Sequence, residues 1–456
     1  MEHRLISRRD VLRSFGLAAG ASFLGGDLLR TLVATQVQPN PGNSRQPNAE
    51  NTKRAWYELG IIGDPVMDEQ LLFYLGATWS GMSDIGECLD TASRITPDDL
   101  TAWPREWQRT AERVHGMADK SLSAGHPISA GQAYLRASNY YRAALMHHAD
   151  PTSSDVLTLA RISLDCFGKA VKLLSLPAEP VQILYEHTTL PGWLWRSPVA
   201  RAKAPIMIVH QGRDAWAEDN KFIADACIQR GYHCLLVHCP GQGMALRELG
   251  LPFRPDWEKV ITPVVDFVVQ QPEVDPSRIV LMGMSMGGAL APRAAAFEKR
   301  IKTCVANPGV LNWGASVTGY LSAISPEIAA AAQNVENDPT AFNAAIAEVV
   351  KIAPQLQWGI TDEMWKHGVQ TPAELLIRLK QFNNEPIADK ITCQVLIMDG
   401  EAEAWSVGQA KMLYDALKCP KDYMLFTAED TGLVHCQTGA QSVATHRLFD
   451  WLDEHI

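Results

Sequence analysis

Ile279-Val280-Leu281-Met282-Gly283-Met284-Ser285-Met286-Gly287-Gly288-Ala289-Leu290-Ala291 is the stretch on which the fold turns. Four apolar residues predict a buried strand, Gly283 to Gly287 spell G-x-S-x-G, and the Gly/Ala/Leu run opens a helix. A strand, a glycine-flanked sharp turn and a helix would hold the Ser285 oxygen above a sheet, and the helix N-terminus would favour developing negative charge. The alternative is a glycine-lined structural turn. The strand-turn-helix setting favours Ser285 as a nucleophile.

Short apolar runs surround this unit: Ile206–His210, Cys234–Cys239, Thr303–Ala306, Gln394–Met398 and Tyr423–Thr427. Gln182–His187 and Leu190–Trp195 read as a strand pair turning at Thr188-Thr189. Strands apolar on both faces, alternating with helical stretches, predict an α/β fold with a mostly parallel doubly wound sheet over residues 179–456. Trp313 to Asp389 has helical pattern without a strand, so 313–389 is expected as a helical insertion after the sixth strand. Upstream, Ala130, Ala133, Tyr134, Ala137, Tyr140, Tyr141 and Ala144 share one helix face, and 56–178 is expected as a helical cap domain.

Residues 36–55, rich in Pro, Asn and Gln, read as a linker. Ser7-Arg8-Arg9 with Leu12 and Arg13, followed by a short apolar run, gives 1–35 the look of a twin-arginine export signal. Export to the periplasm or medium is expected, with a cytoplasmic protein as the alternative. Forty-one basic and 51 acidic residues leave a net charge of −10, and no dense basic stripe invites nucleic acid. No apolar run approaches the roughly 20 residues of a permanent membrane span. The nine cysteines form no CxxC pair, and there is no H-E-x-x-H or phosphate loop, so neither metal nor cofactor is expected. They read as core thiols, with one disulfide left open.

An elbow serine needs an acid and then a histidine on later loops. His435 follows the last strand and precedes the closing helix, whereas His446 and His455 fall within that helix. Asp399, Glu401 and Glu403 compete as the acid. Asp399 lies too near the strand end and Glu401 at a turn, so Glu403 is preferred, with Asp399 the runner-up. The Met286 amide is one oxyanion donor by construction. The second is expected after the strand Ile206–His210, where Gly212 permits close approach and Arg213 offers its N–H. Pro240-Gly241-Gln242-Gly243 reads as a structural turn, with a place in the pocket lining as the alternative, and His147-His148 as solvated polar surface.

The motifs Tyr134-Leu135-Arg136-Ala137-Ser138-Asn139-Tyr140-Tyr141, Pro240-Gly241-Gln242-Gly243, Gly283 to Gly288, Gly400-Glu401-Ala402-Glu403 and His435-Cys436-Gln437 occur in that order. So arranged, the sequence resembles one group of α/β-hydrolases, which includes the bacterial dihydroxypseudooxynicotine hydrolase and the fungal yellowish-green pigment hydrolases. The resemblance implies an α/β-hydrolase fold capped by helices, Ser285, Glu403 and His435 as the triad, and hydrolysis of a carbon–carbon bond beside a carbonyl. Glu403 departs from the group's usual Asp. The expected partner is a small hydrophobic or aromatic substrate, and a homodimer is left open. The rival activities are a carboxylesterase, an acyl-peptidase, or a binding protein that has lost catalysis.

Overall fold

The computed structural model describes residues 55–456 apart from positions 98, 323, 353 and 354. The expected export signal and the linker up to residue 54 lie outside the described residues. Eight strands form one sheet in the order β1-β2-β4-β3-β5-β6-β7-β8. They are β1 (Ala178–Tyr185), β2 (Thr188–Trp195), β3 (Ala204–His210), β4 (His233–Val237), β5 (Val274–Met284), β6 (Ile301–Asn307), β7 (Gln394–Gly400) and β8 (Lys421–Phe426). β1 and β2 pair antiparallel, as do β2 and β4, and the remaining pairs are parallel. All residues of β3 and β4 are buried, which is why their sequences read as continuous apolar runs.

Two details differ from the sequence reading. The β1–β2 turn falls at Glu186-His187, not at Thr188-Thr189: Tyr185 pairs with Thr188, and Glu186 takes a positive φ of 47°. β5 begins five residues before Ile279, because the polar Asp275-Pro276-Ser277 start reads as a turn although Val274 already pairs with Ala204 of β3.

Strand order places the chemistry. β3 and β5 are neighbours, with His210 opposite Gly283, so the loop after β3 lies beside the turn after β5. β6, β7 and β8 then follow in space as in sequence. Their carboxyl-end loops open on the same edge, where ligands of such sheets bind.

Ahead of β1 come the helices Pro65–Gly76, Ile85–Ala92, Ala102–Ser123, Pro127–Ala144 and Ser154–Leu173. The expected small-and-aromatic stripe is buried at every position from Ala130 to Ala144 named above. Tyr140 packs on Trp107 (ring centroids 5.6 Å apart) and Trp107 on Tyr74 (4.9 Å). Each such aromatic pair contributes about 1 kcal/mol beyond its area. Helix Pro65–Gly76 starts sharply because Asp64 caps the Met67 N–H at 2.9 Å and Pro65 has no N–H to satisfy.

Between β6 and β7 lie the helices Trp313–Ser322, Pro326–Gln333, Pro339–Ile352, Gln355–His367 and Pro372–Leu379. They close on a small core of their own that includes Leu321, Ile328, Phe342 and Ile346. Among the described residues no helix is long and apolar enough to cross a membrane. All nine cysteines are free, six of them buried.

Candidate active site

Ser285 sits on the turn between β5 and the helix Gly287–Phe297 with φ 59°, a left-handed conformation costly for a side chain with a Cβ. Its N–H donates to Asn307 O at 2.6 Å, which ties the turn to the end of β6. The glycines are required sterically. A Cβ on Gly283 would strike the Gly287 carbonyl, and one on Gly288 would strike the Pro308 carbonyl.

His435 stands in the loop after β8. Its Nε2 lies 2.9 Å from Ser285 Oγ, and its Nδ1 lies 2.8 Å from Glu403 Oε2. Glu403 Oε1 in turn accepts from the backbone N–H groups of Trp405 (2.8 Å) and Ser406 (3.1 Å). The acid and histidine loops are stitched together, since Ala402 N–H donates to Leu433 O at 2.8 Å. The three side chains named from sequence therefore meet in the order acid, imidazole, hydroxyl.

Asp399, the runner-up acid, is otherwise engaged. Tyr423 OH donates to its Oδ2 at 2.6 Å and the Gly400 N–H to its Oδ1 at 2.9 Å. Burial pushes its pKa up to about 6, against the hydrogen bond from Tyr423. Burial also acts on Glu403, but the His435 charge and the two amides outweigh it and hold the carboxyl below its usual value. At His435 burial disfavours the imidazolium, yet Cys436 and Glu403 beside it prevail and raise its pKa well above 6.5.

The second wall of the site is the loop Gln211 to Trp216. A Cβ on Gly212 would stand 2.5 Å from the Met286 nitrogen, so only glycine lets this loop approach the elbow. Gln242, in the turn read from sequence as structural, donates through Nε2 to Gln211 O and accepts from Gln211 N–H at 3.4 Å. The Arg213 side chain enters a buried charge cluster. It pairs with Asp214 (2.9 Å), Asp362 (3.1 Å) and Glu363, while Lys366 bridges Asp214 (2.8 Å) and Asp362 (2.7 Å). Arg142, from helix Pro127–Ala144, donates to the Asp214 carbonyl. Sequence reasoning named the Arg213 backbone but had no signal for these partners, the nearest of which in the insertion lies 149 residues away.

A chamber of about 160 Å³ lies over Ser285 and His435, lined also by Phe73, Tyr74, Trp313, Tyr320 and Trp405. A larger cavity of about 1000 Å³ extends between the N-terminal helices and the insertion. Arg213, Val317 and Leu379 border both. His147 lines the larger cavity, stacked on Trp358 at 4.2 Å, and burial lowers its pKa to about 4. This corrects the reading of His147 as solvated surface. Among the described residues no cluster of His, Cys, Asp and Glu is arranged to hold a metal.

Sheet order, nucleophile elbow and the loops that follow β7 and β8 define an α/β-hydrolase. The sequence profile of the alpha/beta hydrolase family matches residues 190–437, and the chain belongs to that family. Hydrolase LUC6 of Fusarium sp is 31% identical over 409 residues, covering 84% of this chain and 93% of its own length. The 20-hydroxy-prefusarin hydrolase FUS2 of Gibberella moniliformis is 30% identical over 423 residues, covering 86% and 97%. Among solved structures, the 2,6-dihydroxy-pseudo-oxynicotine hydrolase matches with a TM-score of 0.63 at 18% identity, over 83% of this chain and 95% of that one. That match is a likeness of fold. The protein is thus a hydrolase of the α/β type.

Proposed function

We propose that the protein is a serine hydrolase using Ser285, His435 and Glu403 on a carbonyl substrate, and that the bond cleaved is a carbon–carbon bond beside a ketone in an aromatic or polyketide-like compound. The observation that carries the catalytic part is the continuous chain from Glu403 Oε2 through His435 to Ser285 Oγ, with steps of 2.8 and 2.9 Å. His435 takes the Ser285 proton as Oγ attacks the carbonyl, and Glu403 holds the imidazole tautomer and stabilises the imidazolium. The Met286 and Arg213 amides receive the oxyanion. Water then releases the acyl-enzyme.

The bond type rests on the family resemblance of the motifs. The substrate class is supported by the six aromatic side chains around the chamber, Phe222 among them, which favour a flat conjugated group. In this reading the helical segment 56–178 caps the catalytic segment 179–456, and the insertion 313–389 supplies part of the chamber wall. Comparing turnover of aryl β-diketones with turnover of aryl esters tests the bond. Diketone cleavage to an acid and a methyl ketone is expected. Ester turnover with none on diketones would make the protein a carboxylesterase. The paired arginines Arg8 and Arg9 support export through the twin-arginine route, which Arg8→Lys with Arg9→Lys should abolish; unchanged recovery outside the cytoplasm would refute it.

A further inference from the structure

Glu69 is a carboxyl that a Ser-His-acid mechanism does not use, and it stands inside the catalytic chamber. It projects from helix Pro65–Gly76 and lines the same space as Ser285 and His435. Its Oε1 accepts from the indole Nε1 of Trp405 at 3.0 Å. The backbone N–H of the same Trp405 donates to Glu403 at 2.8 Å, so one residue positions both the triad acid and this second carboxyl. Among the described residues no Lys or Arg pairs with Glu69, and its Oε2 makes no hydrogen bond.

We propose that Glu69 is the general acid that protonates the departing carbon when a carbon–carbon bond is hydrolysed, an assignment that rests on the carbon–carbon reading above.

The chemistry asks for such a group. When an ester is cleaved, the leaving oxygen departs beside His435 and takes its proton there. When a carbon–carbon bond breaks, the electron pair goes to carbon or spreads into a conjugated carbonyl, away from the imidazole. As the tetrahedral intermediate collapses, the bond between the carbonyl carbon and the adjacent carbon breaks. Its electron pair takes the Glu69 proton, giving a new C–H bond and a Glu69 carboxylate. The proton that Ser285 gave to His435 leaves to water, and Glu69 takes one back from water. Water then attacks the acyl-enzyme with His435 as base, and the free acid departs.

The surroundings shift Glu69 towards the form needed. Burial raises its pKa; the Trp405 hydrogen bond and the His435 charge act against burial, while the charges of Glu403 and Asp214 add to it. Burial and the two neighbouring carboxylates outweigh those two effects and favour the protonated acid.

The test uses the full chain and two substrates, 1-phenyl-1,3-butanedione and phenyl acetate. Glu69→Gln keeps the shape and an oxygen for Trp405 but has no acidic proton. The ratio of diketone to ester kcat/KM should fall about 100-fold, the scale of a lost general acid. Glu69→Asp should restore part of that ratio. A merely structural Glu69 would lower both activities in parallel and leave the ratio unchanged, which would overturn the proposal. Wild-type protein that hydrolyses the ester and leaves the diketone intact would instead sink the carbon–carbon reading, and Glu69's role with it.

Discussion

The two walls of the proposed oxyanion site are held by opposite means. The elbow that carries the Met286 amide is fixed locally: Gly283 packs against backbone within the turn, and Gly288 against backbone at the end of β6. The loop that carries the Arg213 amide is fixed at long range, by buried ion pairs to Asp362 and Glu363 of the insertion and by Arg142 of the N-terminal helices. Backbone packing of this kind tolerates almost no change of side chain. Buried charges pay a desolvation cost, but their partners sit on separate elements, so the catalytic loop becomes dependent on how those elements seat. One wall is a property of a short turn and the strand end beside it, and the other a property of the whole fold.

Breaking the local wall should have the largest effect. Gly288→Ala drives a Cβ into the Pro308 carbonyl, which cannot move without moving β6. Activity should fall about 1000-fold, with a stability loss of about 3 kcal/mol read by denaturant titration. Gly212→Ala comes next, because its Cβ meets the Met286 nitrogen at 2.5 Å and pushes the two walls apart. A loss of about 100-fold in kcat, with little change in KM or Tm, is expected from one displaced donor.

The distant wall should give way more gently in rate and as much in stability. Asp362→Asn removes a carboxylate shared by Arg213 and Lys366, both of them buried. About 10-fold in kcat and about 3 kcal/mol of stability should be lost. If kcat is unchanged while stability falls, the ion pairs support the fold alone and the contrast between the walls is wrong. The smallest effect is expected at Tyr423→Phe, which takes a hydrogen bond from Asp399 and not from the triad acid. Activity should change less than about threefold. A loss comparable to that of Glu403→Gln would restore Asp399 as the working acid.

What the sequence made legible follows the same division. The elbow, the parallel strands and the side chains proposed as a triad show in short patterns: apolar runs, G-x-S-x-G, and a histidine between the last strand and the last helix. The Glu186 turn was hidden because its positive φ is carried by a residue type that does not signal one. The start of β5 was hidden by Asp275, Pro276 and Ser277, which mark a turn anywhere except beside an existing strand. Arg213's partners, the stacking of His147 on Trp358, and the arrival of Glu69 in the chamber depend on packing between segments far apart in the chain. Local pattern carries no trace of them.

The pH dependence follows from the electrostatics of the proposed triad. In that mechanism His435 must be neutral to act as base, and its folded pKa is raised above 6.5. Activity should therefore rise with pH through a midpoint above 6.5, while the stability gained from the charged pair is present below 6.5 and is lost as pH climbs through that midpoint. Glu403→Gln, which removes the negative charge, should move the midpoint down.

Labelling with a fluorophosphonate across pH, read by mass spectrometry of the intact protein and its peptides, reaches the central claim most directly. The account predicts one adduct, on Ser285, formed faster as pH rises and abolished by His435→Ala. An adduct on another residue, or labelling of Ser285 that His435→Ala leaves unchanged, would contradict it.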